Sequence, residues 1–332
     1  MRIGITSAVI ETVRRSGVKM QGLMWHEALS SRGHDVTLIN YWDDIDYSEF
    51  DAVIILRWGT GLKNIAKELS SYNIPVISAP IFDPHMPITA YRLAAKFGHI
   101  DRLHMSCPSR ELFESVKHIT MFLARSEYER EYLMQSFEIP AGKIRIVPLP
   151  FRIKPAEVMP TKENFCFHVS NLNAHNKNVP RLIEAAKKYG FRLILGGSVR
   201  GDEGRKQLEA LMAGNGNITY TGQLTDEELR SYYMRAKVFA LPSLWEGVGM
   251  VALEAAACGC GIVMTNHGAP KEYYSGLAEL VNPKSSDDIG RAVMKLLDAP
   301  NDSRLMEHVK AKYSAEKCAQ LLDEAIASCL KS

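Results

Sequence analysis

The chain has 332 residues, 46% of them apolar and 23% charged, which is the balance of an ordinary globular protein and not of a disordered or fibrous one. Forty Lys and Arg stand against 38 Asp and Glu, a net charge of +2 that excludes a strongly basic nucleic-acid binder. At roughly 150 residues per domain the length predicts two domains, with one large α/β domain as the alternative. No stretch approaches the roughly 20 apolar residues that a membrane-spanning helix needs. The opening MRIGITSAVI lacks the long apolar region and small-residue cleavage site of a signal peptide, so a cytoplasmic protein is expected. Six scattered cysteines in a long chain read as free thiols, and Cys258 and Cys260 as small packing residues. No His or Cys pair has zinc-ligand spacing, so no metal site is expected.

Along the chain, Arg2 to Ala8 reads as a buried strand, and Arg14 to Met20 as a loop with Gly17. Gln21 to Ser31 has a helical pattern that Gly33 ends. Val36 to Ile39, Ala52 to Leu56 and Pro75 to Ala79 are apolar runs that suit a parallel sheet covered on both faces, with helical text at Leu62 to Ser71. Ile119 to Ala124, a helix over Glu127 to Ser136 and Ile144 to Val147 continue the alternation. Pro148, Pro150, Pro155 and Pro160 then interrupt it and mark a linker.

The alternation restarts after the prolines. Strands are expected at Phe165 to Val169, Phe191 to Leu195, Ile218 to Tyr220, Val238 to Leu241, Gly261 to Thr265 and Ala278 to Val281. Helices are expected at Pro180 to Tyr189, Arg205 to Met212 and Asp226 to Arg235, the last capped by Thr225. From Asp287 onward the text reads as all helix, and Leu321, Leu322 and Ile326 recur there at helical spacing. The pattern is two doubly wound α/β halves of similar size, and ligands of such sheets bind at the carboxyl ends of the strands.

The segment LPSLWEGVGMVALEAAACGCGIVMTNHGAPKEY, Leu241 to Tyr273, carries the chemistry. A strand runs into a loop with Glu246, Gly247 and Gly249, and then into a helix with Glu254. The glycines permit close backbone approach, and the helix N-terminus offers free N–H groups to an anion. Two acids near an anion site suit a ligand with hydroxyls at both ends of a diphosphate, as in a sugar nucleotide. The plainer alternative is a solvated loop and helix.

EGVGMVALEAAACGCGIVMTNHGAPKE resembles the donor-binding signature of the retaining family 4 glycosyltransferases, with its E-x7-E pair. YTGQLTDEELRSYYMRAKVFALPS and VSNLNAHNKNVPRLIEAAKKYGFRLILGG are similar to the preceding parts of that family's donor domain. LSSRGHDVTLIN, LARSEYEREYL and KIRIVP resemble parts of its acceptor domain. The resemblance implies a GT-B fold, two Rossmann-like doubly wound parallel-sheet domains facing across a cleft. Residues 1–155 would bind acceptor, 156–312 would bind donor, and 313–332 would form a helix crossing back to the first domain.

The resemblance also implies roles. Lys177 matches the lysine on the donor diphosphate, Glu246 the residue on the transferred sugar, and Glu254 the residue on the ribose. Val248, Gly249 and Met250 would present amides to sugar or phosphate. His85, in SAPIFDPHMPITA, stands about where the family has a histidine near the reacting centre; otherwise it orders a turn between Pro84 and Pro87. His104, His168 and His267 are weaker candidates, and His168 reads equally as a core residue. Three positions depart from the family. Asn171 replaces an arginine, Gly17 stands alone where two glycines are usual, and Leu149-Pro150 replaces an Asn-Gly pair. Arg14, Arg15 or Lys19 would have to replace the missing charge.

Between residues 84 and 110, Arg92, Lys96, Arg102 and Arg110 oppose only Asp101, with His85, His99 and His104 beside them. That count suits either a solvated face or peripheral contact with an anionic membrane surface or phosphorylated acceptor. The expected activity is transfer of a hexosyl group from a nucleoside diphosphate sugar, a co-substrate, to a glycan or lipid-linked acceptor, with no further cofactor and no nucleic acid. The rival readings are a GT-B sugar-nucleotide epimerase and a non-catalytic sugar-nucleotide-binding protein.

Overall fold

The computed structural model describes residues 1–8, 16–40, 42–100, 105–274 and 276–330. The chain divides into two compact units: Met1–Leu149 with Ala315–Ser332, and Pro150–Ser314. The division falls inside the proline-rich segment, where no helix or strand lies between Ile146 and Glu163.

The first unit contains β1 (Arg2–Ser7), α1 (Gly17–Ser31), β2 (Asp35–Leu38), β3 (Ala52–Leu56), α2 (Leu62–Ser71), β4 (Val76–Ala79) and α3 (Ile88–Phe97). It continues with the short pair β5 (His99–Ile100) and β6 (Met105–Ser106), then α4 (Pro108–Ser115), β7 (Met121–Ala124), α5 (Glu127–Phe137) and β8 (Ile144–Ile146). The six main strands are parallel in the order β2-β1-β3-β4-β7-β8. Every residue of β3, β4 and β7 is buried, as the unbroken apolar runs require of a sheet covered on both faces.

The second unit contains β9 (Glu163–Asn171), α6 (Val179–Tyr189), β10 (Leu193–Ser198), α7 (Gly201–Met212), β11 (Ile218–Tyr220), α8 (Asp226–Arg235) and β12 (Ala236–Leu241). After these come α9 (Met250–Ala257), β13 (Gly261–Thr265), α10 (Pro270–Tyr273), β14 (Glu279–Val281), α11 (Ser286–Asp298) and α12 (Arg304–Lys312). Its strands are parallel in the order β11-β10-β9-β12-β13-β14. The chain starts in mid-sheet at β9, winds to one edge, and returns to β12 beside β9. That reversal opens a crevice at the carboxyl ends of β9 and β12.

The local signals explain most boundaries. Thr225 caps α8 with a full capping box, its hydroxyl accepting from Glu228 N–H while the Glu228 carboxylate accepts from Thr225 N–H. Arg32 caps α1, and Gly33 follows at φ +85°. Three expectations need correction. Gly17 to Met20 is not loop but the first turn of α1, because the Ser16 hydroxyl accepts from Lys19 N–H and caps the helix there. Arg14 and Arg15 lie outside the described residues. Helices α3 and α4 fill the stretch that was read only by its charge. The tail after Asp287 is three helices, broken at Ala299–Ser303 by Pro300 and its polar neighbours and again at Tyr313–Ser314.

The last of them, α13 (Ala315–Cys329), belongs to the first unit. Leu322 and Ile326 are fully buried in the cluster that holds Trp25 and Leu29 of α1 and Ile3, Ile5 and Ile54 of the sheet. Asp323 accepts from Arg32 Nε at 2.8 Å and pairs with His34 Nε2 at 2.8 Å. A Leu-to-Ala change in such a core costs about 2–5 kcal/mol. Leu322→Ala is therefore expected to raise amide exchange throughout the first unit and leave the second unit's protection unchanged. Equal loss in both units, or in neither, would contradict this placement of α13.

Candidate functional site

The crevice of the second unit is built by two loops. The loop after β9 runs from Leu172 to Asn178, and the loop after β12 from Pro242 to Gly249. They are joined by backbone and side chain. Leu244 N–H donates to the Asn176 carbonyl at 2.7 Å. The buried Asn178, at φ +59°, donates through Nδ2 to the carbonyls of Pro242 at 2.9 Å and Pro283 at 2.7 Å. Asparagine tolerates that left-handed backbone, which turns the chain into α6 with Pro180 in its first turn.

Across this frame Lys177 Nζ lies 2.7 Å from Glu246 Oε2, and the Ser243 hydroxyl donates to the same oxygen at 2.8 Å. The two side chains are 22% and 10% exposed, enough to meet a ligand but too enclosed for bulk water to screen them fully. Gly249 caps α9 at φ +71°, and a Cβ there would stand 2.4 Å from Met264 Cε. Gly268, at φ +95°, has no room for a side chain, because a Cβ would sit 2.1 Å from the Glu246 carbonyl oxygen. Gly247, Val248 and Gly249 are buried and Met250 half-buried, and a Cβ on Gly249 would lie 3.4 Å from Glu246 Cγ, so the start of α9 packs beside that side chain.

Glu254 has a different environment. It is 2% exposed, and both carboxylate oxygens are engaged: Oε1 lies 3.3 Å from Arg152 Nε, and Oε2 accepts from the Tyr233 hydroxyl at 3.3 Å. Arg152 also pairs with Asp226. Burial pushes the Glu254 carboxyl up to about 7, against the pull of Arg152 and Tyr233. Burial and the Glu254 charge together raise the Tyr233 hydroxyl well above the usual tyrosine range. The face of α9 that carries Glu254 packs inward, and Arg152 arrives from the segment before β9. Arg152, Tyr233, Ser243 and Asn178 were not singled out in the sequence, because each is defined by what a distant segment brings to it.

Asn171 ends β9, and its Oδ1 accepts from Asn173 N–H at 3.3 Å. His168 is fully buried, with Nδ1 2.7 Å from the Ala240 carbonyl oxygen and Nε2 2.8 Å from the Ser170 hydroxyl. Burial pushes it down to about 4, so it is a neutral core residue. His267 is exposed and His104 lies outside the described residues. Cys258 and Cys260 are buried free thiols.

In the first unit, Gly17 is the exposed first residue of α1, with Lys19 exposed in the same turn. His85 lies in the loop between β4 and α3. Its N–H donates to the Tyr91 hydroxyl at 3.2 Å, and its Nδ1 lies 3.2 Å from that oxygen. The basic stretch is more balanced than its local count. Lys96 pairs with Glu138 at 2.6 Å, Arg110 with Glu114 at 2.6 Å, and Arg92 donates to the Gln135 carbonyl. Glu114 and Glu138 come from α4 and from the end of α5, outside the counted window. Asp101 and Arg102 lie outside the described residues. Among the described residues no helix is long and apolar enough to cross a membrane.

Two parallel doubly wound units of this kind define the class: the fold is GT-B, that of glycosyltransferases. A sucrose-phosphate synthase from Thermosynechococcus elongatus superposes with a TM-score of 0.73 at 16% identity, covering 99% of each chain. Residues 151–315, nearly the whole of the second unit, match the family model of glycosyl transferases group 1. An O-antigen chain mannosyltransferase B from Escherichia coli is 26% identical over 208 residues, covering 57% of this chain and 54% of its own. A GDP-mannose-dependent monoacylated alpha-(1-6)-phosphatidylinositol monomannoside mannosyltransferase from Corynebacterium glutamicum is 27% identical over 165 residues, covering 46% of this chain and 42% of its own. The chain thus spans about half the length of these curated relatives.

The Glu254 environment gives a pH test. Its folded value near 7 lies above the ordinary 4.5, so the unfolded chain releases this proton first as pH rises. The group's favourable contribution is fully present below pH 4.5 and is lost as pH rises through 7. Relative to Glu254→Gln, the wild type is expected to lose on the order of 3 kcal/mol between those limits, read by denaturant unfolding at a series of pH values. A stability difference that does not change with pH would contradict the assignment.

Proposed function

We propose that the protein is a retaining mannosyltransferase that moves mannose from GDP-mannose to a hydroxyl of a glycan or glycolipid acceptor. The observation that carries this reading is the Lys177–Glu246 pair at the carboxyl ends of β9 and β12, inside the segment matched by the group 1 family. The names of the two mannosyltransferase relatives supply the sugar, and one of them the GDP.

Lys177 and the N-terminus of α9, through the amides of Val248, Gly249 and Met250, receive the donor diphosphate. They stabilise the charge that grows on it as the glycosidic bond breaks. Glu246 exchanges the Lys177 ammonium for a hydroxyl of the transferred sugar. Glu254 accepts from the ribose by exchanging the Tyr233 hydroxyl for a ribose hydroxyl, while Arg152 holds its other oxygen. Gly247 lets the backbone approach the sugar. Asn171 offers a neutral amide beside the diphosphate. His85 is the first unit's contribution to catalysis. The acceptor hydroxyl attacks the face that the diphosphate leaves, so the new linkage keeps the anomeric configuration.

The test is turnover of GDP-mannose with a panel of short mannosides and mannosyl lipids, the product anomer being read by NMR. An α-linked product is expected, with Lys177→Ala reducing kcat about a hundredfold, the scale of losing one main charge stabiliser. A β-linked product would overturn retention. Epimerised donor without acceptor would make the protein an epimerase. Saturable GDP-mannose binding with no turnover on any acceptor would make it a non-catalytic binder, the reading that Asn171 and Leu149-Pro150 favour.

A further inference from the structure

The first unit holds a buried ion pair that the proposed donor chemistry does not use. Arg125 follows β7, and its side chain is 7% exposed; Glu129, in the first turn of α5, is 3% exposed. Arg125 Nε lies 2.8 Å from Glu129 Oε2, and Arg125 N–H donates to that oxygen at 2.7 Å. Burying such a pair costs desolvation on both sides, so an apolar pair of similar volume would serve stability as well. A reason for keeping it is found in what else it holds.

The pair grips the loop that follows β4. Phe82 N–H donates to Glu129 Oε1 at 2.6 Å. The Phe82 carbonyl accepts from Arg125 Nη2 at 2.9 Å, and Asp83 Oδ1 accepts from the same nitrogen at 2.7 Å. The residue just before, Ile81, stands at φ +53°, a left-handed backbone that a β-branched side chain adopts only when its surroundings force it. The Phe82 ring is locked edge-on against Trp58 at 5.0 Å, Tyr91 at 4.8 Å and Phe137 at 5.5 Å. Three residues beyond the grip is His85, whose ring is held through Nδ1 by the Tyr91 hydroxyl at 3.2 Å and the Asp83 carbonyl at 3.4 Å. All of this sits at the carboxyl ends of β4 and β7, the side of the sheet where ligands bind.

We infer that Arg125 and Glu129 are positioning residues that hold the strained Ile81–Asp83 turn and so fix the His85 imidazole in its working orientation. The inference rests on the reading above only for the role of His85; the holding itself is independent of which sugar or acceptor is used. Neither residue touches the reactants. Arg125 sets Asp83 and Phe82, Glu129 sets Phe82 and Arg125, and the Asp83 carbonyl and Tyr91 set the ring.

The experiment uses the full chain labelled with 15N-histidine, with the His85 signals assigned by their loss in His85→Asn. Glu129→Gln keeps the size of the side chain and removes its charge. It is expected to move or broaden the His85 ring signals. The same variant is expected to lower kcat at least tenfold with the donor KM within twofold, and to cost nothing further when added to His85→Asn. Asp83→Asn, at a 44% exposed side chain where folding is not at risk, is expected to shift the same signals and lower kcat by a smaller factor in the same direction. His85 signals unchanged in Asp83→Asn, or unchanged in a folded Glu129→Gln, would overturn the inference. The spectra need no turnover, so they decide it even if the mannosyltransferase reading fails. Full turnover by His85→Asn would remove His85 from catalysis without touching the donor site.

Discussion

A single ion pair, Lys177 to Glu246, shows what the second unit's winding accomplishes. The two residues are 69 positions apart in the chain. They meet because the sheet reverses its direction of growth between β9 and β12, which places the loops after these strands side by side. The pair does not by itself make the site, because much of its Coulombic gain is offset by the cost of taking both charges partly out of water. Its geometry is held by neutral bonds, from Asn178 to two carbonyls and from Leu244 to Asn176, and by the absence of a side chain at Gly268. A cation and an anion are thus kept within reach of one ligand on a rigid frame, which is the arrangement that binding an anionic, hydroxyl-rich molecule requires.

The two glutamates of the signature segment differ because of where each sits on the way into α9. Glu246 lies in the loop, where it can exchange partners with a ligand. Glu254 lies past the first turn, on the inward face of a helix that is half alanine. There it is enclosed by Arg152 and Tyr233, and its carboxyl shifts towards neutrality. One sequence pattern therefore provides an exchangeable acid and a fixed one whose charge responds near neutral pH.

The sequence was most readable where structure is local. Apolar runs predicted the buried strands β3, β4 and β7, Thr225 predicted the N-cap of α8, and the two units divide among the prolines after Val147. The strand-loop-helix around Glu246 also follows from local text, since Gly249 and the alanine run set the turn and the helix. What was missed depends on residues brought from elsewhere. Helix α1 starts early because Ser16 caps it, a signal that the neighbouring Gly17 obscured. The basic stretch around α3 is partly offset when Glu114 pairs with Arg110 and Glu138 with Lys96. Arg125 and Glu129 were visible only as part of LARSEYEREYL, and nothing in that string announces that they grip the loop around Phe82, more than forty residues upstream.

The central claim is that the crevice after β9 and β12 binds a nucleoside diphosphate through the charge of Lys177 and the carboxylate of Glu254. Calorimetric titration of GDP at pH 8, with wild type, Lys177→Ala and Glu254→Ala, tests it most directly. The account predicts one saturable site in the wild type, at least tenfold weaker binding in each variant, and a loss in Glu254→Ala that largely disappears with a deoxyribose analogue. Equal GDP affinity in all three folded proteins would contradict it.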